Sequence, residues 1–451
     1  MDKFDLIVIG AGTAGLQVVA AAVEEGKKVA VLENDLVGGT CLNRGCIPTK
    51  VLVHAAELAR QAKNARHFGI NYTGLKLNFA QAIRHEEQLV SKGRTQAEKN
   101  LASMPGVTLL RGTAEFIDSS TVKVGTKSVS AEKIFIVTGS SPFVPPIPGL
   151  EKTGYLDSTS ALHSQKQPKA LIMIGGGYIS VEFAAFFAAF GTKVTIVEMA
   201  DRLVGTADSD ISSALLEYLT KDGIKVLLGA GAKEIKKKGR KKLVTYEQNG
   251  KMQTISADEL FVAIGRKANT AGLKAENAGV KLDKKGFVVV NEFLQTDNPN
   301  IFAVGDVNGK AMFAHMGKYE AALAFHNAFN PDDMVKADYH AVPFAVFTDP
   351  EIGGVGLNEA QVKEAGIDYE VYSAEMSSIG KSKIIEDTRG FIKVLVEKKT
   401  NRILGAHMIG PDSSNLIHEF VVMMNTTDQS MEHVLQTIHI HPTLAEVFQN
   451  L

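Results

Sequence analysis

Cysteine is almost missing from this chain: Cys41 and Cys46 are the two in 451 residues. Two thiols cannot build a disulfide framework or a four-thiolate zinc site, which excludes a secreted, disulfide-stapled protein. Set five positions apart, they suggest one local redox pair. An excess of one charge is also lacking. Forty-nine Lys and Arg stand against 50 Asp and Glu, for a formal charge of −1. That balance argues against broad binding to nucleic acid or to a membrane surface, since both usually require a strongly basic face. Proline is scarce at 13 residues, and the 45% hydrophobic, 22% charged composition is that of an ordinary soluble globular protein of about three domains. The stretch 170–190 has the length of a bilayer span and one charge, Glu182, but Gly175, Gly176 and Gly177 break it into a short strand and a helix. An apolar run from Phe4 to Ile9 begins almost at once and leaves no room for a signal peptide. The expectation is a soluble, cytoplasmic protein, in a compartment where a disulfide is more often catalytic than structural.

What the chain does contain is a repeat. Residues 5–33 read as an apolar strand, a glycine turn (Gly10, Gly12, Gly15), an Ala/Val-rich helix and a second strand ending on Glu33. Residues 171–198 repeat this order, with Gly175, Gly177 and a terminal Glu198. Both the first glycines and the two acids are 165 residues apart, and each acid follows its glycine by 23. Each unit is later joined by another apolar strand closing on a glycine, at Gly139 and Gly265. In such a β-α-β unit the first glycine permits a sharp turn and the second lets backbone approach a pyrophosphate. The helix N-terminus offers N–H groups to the phosphates, and the acid accepts ribose hydroxyls. Two copies with the same spacing imply two dinucleotides on one chain. Ser180 replaces the third small residue of the second copy, a position of close helix–strand packing where serine is small enough. Glu198 favours a cofactor with a free ribose hydroxyl, because a 2′-phosphate would meet a carboxylate. Arg202, four residues later, could soften that choice but is read as a surface arginine.

The segment Gly38-Gly-Thr-Cys-Leu-Asn-Arg-Gly-Cys-Ile-Pro-Thr-Lys50 follows the first unit. Its cysteines can approach one another if the helix start is irregular. A helix N-terminus stabilises a thiolate, and Arg44 and Lys50 would add positive charge. This segment resembles the active site of the flavin-dependent pyridine nucleotide–disulfide oxidoreductases. The resemblance extends over the chain in family order: GAGTAG at 10–15, VTGSSPFVPPIPG at 137–149, GGGYISVE at 175–182, AIGRKANT at 263–270, TDNPNIFAVGD at 296–306 and HIHPTLAE at 439–446.

The resemblance implies an α/β chain with two Rossmann-like dinucleotide-binding domains, for FAD and NAD, plus a C-terminal α+β dimerisation domain. Its expected boundaries are 1–147 for the first FAD-binding part and 148–267 for the NAD-binding domain. The FAD-binding return follows at 268–338, and the interface domain at 339–451. Cys41 would be the interchange thiol, and Cys46 the thiolate lying against the flavin. His441 would be acid and base, and Glu446 its orienting carboxylate. Lys50 and Glu182 would form the ion pair near the flavin, Tyr178 would gate the nicotinamide, and Asp306 would hold the ribityl chain. Cofactor contacts are further expected from Thr40, Gly112, Thr138, Ser140, Met312, Ala314 and His315, the last equally readable as packing. No metal site is expected, since His315, His407, His418 and His433 lack mutual ligand spacing.

Within the family, Met312-Phe-Ala-His315 and residues 402–419 resemble dihydrolipoamide dehydrogenases. Mercuric reductases use a further C-terminal thiol pair, and no cysteine follows Cys46. The departures are Arg44, usually a small apolar residue; Ala268, usually proline; and Thr437-Ile-His-Ile-His, often Ala-His-Ala-His. The leading expectation is an NAD-linked dihydrolipoamide dehydrogenase. It would be a homodimer whose terminal histidine completes the partner's site, acting on dihydrolipoamide or a lipoyl domain, within a 2-oxo acid dehydrogenase complex if one is present. Reduction of another small disulfide, such as glutathione disulfide, is the alternative, and a non-catalytic flavin-binding redox sensor is an alternative of another class. Lys233–Lys242, with seven basic residues in ten, reads as a solvated hairpin edge, and Phe183, Phe186, Phe187 and Phe190 as core at helical spacing.

Overall fold

The computed structural model describes residues 2–451. β1 (Asp2–Ile9) runs into Gly10, α1 (Thr13–Glu24) follows, and β2 (Val29–Glu33) returns parallel to β1. Gly10 has a φ of +115°, and a side chain there would collide with the Val137 carbonyl, so sterics as well as backbone angle demand glycine. Next come a short α2 (Gly39–Asn43), α3 (Cys46–Asn64), a long α4 (Phe79–Ser103) and β3 (Lys127–Ile136). The second copy is β4 (Ala170–Ile174), α5 (Tyr178–Ala189) and β5 (Lys193–Val197), followed by α6 (Ser209–Lys221). Gly175 has a φ of +104° and faces the Ala263 carbonyl as Gly10 faces that of Val137. Ser180 is fully buried in α5, as its small size allows. Far along the chain, α7 (Ala314–Phe329) completes the helices that matter here.

The chain divides into two compact units. The first comprises the residues up to Thr49, Ile83–Phe143 and Gly265–Asp338. Its sheet places Val107–Arg111, β2, β1 and β3 side by side, all parallel, with Ile301–Ala303 also parallel to β3 and an antiparallel ribbon beyond. Strands covered on both faces read as continuous apolar runs, and Leu6, Ile7 and Val8 are accordingly inaccessible.

The second unit comprises Lys50–Ala82, Val144–Ile264 and Tyr339–Leu451. It contains a four-stranded parallel sheet ordered Lys225–Leu227, β5, β4, Glu259–Val262. It also contains an antiparallel five-stranded sheet formed by strands of 343–410. Phe183, Phe186 and Phe187 are buried, and Phe79 stacks on the last two at 5.2 and 5.6 Å. Each such ring contributes about 2 kcal/mol of hydrophobic burial, so three phenylalanines of the expected stripe are core, while Phe190 is half-buried. The lysine-rich segment is the hairpin of edge strand Ala230–Lys238 and Lys241–Gln248. Lys237 and Lys238 lie opposite Lys242 and Lys241, a repulsive register. It is relieved because Lys241 and Lys242 turn to Asp258 and Glu259. Among the described residues no helix is long and apolar enough to cross a membrane.

Candidate redox-active site

The two glycine turns are built alike, down to single hydrogen bonds. Glu33 accepts the N–H groups of Ala11 and Asp35, each at 2.7 Å. Glu198 accepts those of Gly176 and, at 2.6 Å, Ala200, the residues 165 positions on. Each carboxylate is thus fixed at the end of its strand beside a helix start. Neither α1 nor α5 has a side-chain cap: their N-cap residues are Gly12 and Gly177, and a Cβ on Gly177 would meet only open space. Uncapped N–H groups and a bare glycine are what a diphosphate needs. These cradles fit dinucleotides, and the buried Oγ1 of Thr138, which finds no hydrogen-bond partner, fits a polar group brought by a ligand. Arg202 pairs with its neighbour Asp201 at 3.1 Å, in keeping with a surface role.

In the first unit, Cys41 lies within α2 and Cys46 is the first residue of α3. The helix breaks between them at Arg44 (φ −150°) and Gly45, the irregularity the pair requires. Both cysteines are half-buried. The charges expected to favour a thiolate are differently arranged. Arg44 is bonded to Asp35, and Lys50 donates to both oxygens of Glu182 at 2.9 and 2.8 Å, so carboxylates compensate both cations. Arg266 is a further cation whose charge acts on Cys46, and it too faces a carboxylate. Its Nε and Nη2 donate to the hydroxyl and carbonyl of Ser140 at 2.7 and 2.6 Å, and Nε lies 3.6 Å from Asp306. Burial pushes its guanidinium below the ordinary value, opposed by the charges of Asp306 and Cys46. Ser140 also donates to Asp306. The turn carrying Asp306 is held by buried Glu320 on α7, which accepts the Gly305 N–H at 2.6 Å and the Asn308 amide at 2.7 Å. Gly112 donates its N–H to the Glu33 carbonyl, and Gly139 and Gly265 adopt φ of +66° and +144° in open surroundings. Thr40 and Met312 are exposed, and Ala314 is the first residue of α7. His315 is exposed and stacks on Phe313 at 5.3 Å, so it does not pack in the core.

In the second unit Glu182 is buried and also accepts the Phe347 N–H at 3.0 Å, while Lys50 lies 4.5 Å above the Phe347 ring. Tyr178 is bonded to Thr206 and packs edge-on to Phe344, and burial raises its hydroxyl above the usual range. Thr206 lies just before Asp208, and Lys393 binds Asp208, Asp210 and Glu359 at 3.2, 2.8 and 2.5 Å. A buried ammonium occupies the centre of this acidic cluster. Nearby His407 is buried, its Nε2 3.0 Å from the Leu357 carbonyl, and burial lowers its basicity, which makes it a structural histidine as expected.

At the C-terminus, His441 Nδ1 lies 2.7 Å from Glu446, and the imidazole is exposed. The His441 hydrogen bond, helped by the Thr443 N–H, holds the Glu446 carboxyl below its ordinary range. A carboxylate on Nδ1 fixes that proton and leaves Nε2 for acid–base work. His439 instead binds Glu419 at 3.1 Å with its ring buried against Phe448.

Two family models cover nearly the whole chain: pyridine nucleotide-disulphide oxidoreductase over residues 4–321, and the dimerisation domain of the same family over 342–451. The chain belongs to this family. Its members contain FAD and depend on NAD(P), in agreement with the two cradles, and this protein is a disulfide oxidoreductase of that kind. A mercuric reductase of Staphylococcus aureus is 37% identical over 92% of this chain and 76% of its own length. A dihydrolipoyl dehydrogenase of Geobacillus stearothermophilus is 35% identical over 98% and 94%. The HOCl-induced flavoprotein disulfide reductase RclA from Escherichia coli, solved as a Cu(II) complex, superposes with a TM-score of 0.90 at 33% identity, covering 100% of this chain and 99% of its own.

Arg266, Glu320, Thr206 and Lys393 had no place in the sequence reading. Only Arg266 left a signal, directly after the glycine that closes the apolar run 260–265, of which the strand itself takes in residues up to Val262; the others meet their partners through the fold.

Proposed function

We propose that this protein is an NAD-linked dihydrolipoamide dehydrogenase, converting dihydrolipoamide and NAD⁺ to lipoamide and NADH as a homodimer. The observation that carries this reading is the Cys41–Cys46 pair itself: it holds the two thiols of residues 1–451, and within them it is the pair with which a dithiol substrate can exchange. His441, fixed by Glu446, is then the acid–base group for that exchange. In the oxidised pair, His441 of one subunit takes a proton from a substrate thiol, whose thiolate attacks Cys41 of the other. The Cys41–Cys46 bond breaks and Cys46 leaves as a thiolate, stabilised by the α3 N-terminus and Arg266. The second substrate thiol attacks its own sulfur in the mixed disulfide, closing the cyclic product; the proton already on His441 passes to the departing Cys41 sulfur, and His441 takes up that of the second thiol, leaving Cys41 as a thiol. Bound FAD supplies the two-electron relay from this dithiol to NAD⁺. Lys50 and Glu182 hold one another in their ion pair, and Tyr178 would screen a nicotinamide bound at the second glycine turn.

Glu198 supports NAD over its phosphorylated form, because its carboxylate ends the strand where a 2′-phosphate would lie. A lipoyl domain of a cytoplasmic 2-oxo acid dehydrogenase complex is the partner this reading implies. The likeness to RclA favours a second reading, reduction of another small disulfide. NADH oxidation assayed with lipoamide and with glutathione disulfide separates them. Turnover with lipoamide, and poor turnover with NADPH, is expected; turnover with the other disulfide alone would replace the first reading with the second.

A further inference from the structure

A cleft of about 330 Å³ opens onto Cys41 in the first unit. Leu16, Leu42 and Ile47 give it apolar walls, and Thr13 and Gln17 of α1 line it as well. Leu42 fills the room that Gly38 and Gly93 leave, since a Cβ on either would come within 3.1 Å of its side chain. The remaining wall is Lys318, the one charged side chain among the lining residues. Gly317 puts it there: this glycine of α7 packs against Ala14 of α1, where a Cβ would come within 3.3 Å, and the close approach sets Lys318 beside Thr13 and Gln17. Lys318 is exposed, and no carboxylate pairs with it among the described residues.

From this we infer that Lys318 is a specificity-determining residue: among the dithiols and disulfides that reach Cys41, it favours those carrying a negative charge at the end of a short apolar stem over their neutral amides. The inference rests on the proposed exchange at Cys41. The reactive sulfur sits at Cys41, the stem lies along Leu16, Leu42 and Ile47, and a carboxylate meets the ammonium. A substrate ending in a neutral amide fills the same walls without that attraction.

Alkylation tests the cleft without assuming any substrate. The FAD-containing enzyme is reduced anaerobically with one equivalent of dithionite and treated with iodoacetate or iodoacetamide, and the adduct on Cys41 is quantified by peptide mass spectrometry. The two reagents differ in charge alone, so their ratio cancels any change in thiolate content. Lys318→Ala should lower the iodoacetate-to-iodoacetamide ratio about fivefold, the effect of one nearby charge at partial solvent exposure. Lys318→Glu should lower it further, and Lys318→Arg should retain it. High salt should bring wild type and Lys318→Ala together. An unchanged ratio in Lys318→Ala and Lys318→Glu overturns the inference. Turnover of dihydrolipoate and dihydrolipoamide completes the test: a shifted alkylation ratio with neither dithiol consumed would leave the cleft assignment standing and remove the dehydrogenase reading instead.

Discussion

Nδ1 of His441 and Oε1 of Glu446 lie 2.7 Å apart, while the other carboxylate oxygen takes the Thr443 N–H at 2.9 Å. One acid therefore serves as both tautomer lock and local cap. Glu446→Gln keeps the shape but can present the wrong hydrogen-bonding atom to Nδ1. Turnover should fall about 10²-fold, within the range seen when an orienting carboxylate is lost, with circular dichroism unchanged. Because the Glu446 carboxyl is held below its ordinary range, lowering the pH should disrupt the dyad only below that range.

If each site combines Cys41 of one subunit with His441 of the other, two inactive variants should rescue one another. Random exchange of His441→Ala and Cys41→Ser subunits places one intact site in half of the dimers, about a quarter of wild-type activity. No recovery despite exchange demonstrated by native mass spectrometry would remove the shared site.

Lys393 faces three carboxylates with 5% of its side chain exposed. Burial alone would depress its ammonium, but the bonds to Asp210, Glu359 and Asp208 outweigh this and raise it. Lys393→Met leaves those acids facing one another and should cost about 3 kcal/mol of stability, as for other broken buried ion pairs. A lowered denaturation midpoint would register the loss. Glu359, held at about 2 first by Lys363 and then by Lys393, contributes stability present above its unfolded pKa. That contribution declines as pH falls from the usual carboxylate range toward 2.

Glu86 has the opposite sign. It lies between Ile83 and Val90 on the buried face of α4, 2% exposed, with Oε2 lacking a hydrogen-bond partner. Burial, then the charge of Glu87, raises its carboxyl to about 7. The unfolded chain loses this proton first, so stability falls as pH rises from the ordinary glutamate range to about 7 and then levels. Glu86→Gln should abolish that slope and gain about 3 kcal/mol at pH 8, the equivalent of the shift. Urea unfolding at pH 5 and pH 8 measures it, and equal gains at both would contradict the assignment.

The contrast between Glu33 and Arg266 shows how far the sequence was legible. Glu33 and Glu198 announce themselves because a β-α-β turn imposes a fixed local spacing, and the structure repeats even their backbone partners. The Cys41–Cys46 segment and the His441–Glu446 pair are equally local. Arg266 meets Ser140 and Asp306, and Lys393 meets Asp208, only after chain segments more than 100 residues apart have folded together, except for the Asp306 contact at 40. No periodicity records such meetings. Arg44 shows the same limit in reverse: its place between the cysteines suggested an electrostatic role there, yet Asp35 takes its charge.

In the proposed reaction, electrons pass from a dithiol through Cys41 and Cys46 to bound FAD and then to NAD⁺. Anaerobic titration of the purified yellow enzyme with dihydrolipoamide, followed by NAD⁺, tests it most directly. A long-wavelength charge-transfer band should develop with dihydrolipoamide and disappear as NADH forms. A spectrum unchanged by dihydrolipoamide, in enzyme that NADH does reduce, would contradict the lipoamide assignment.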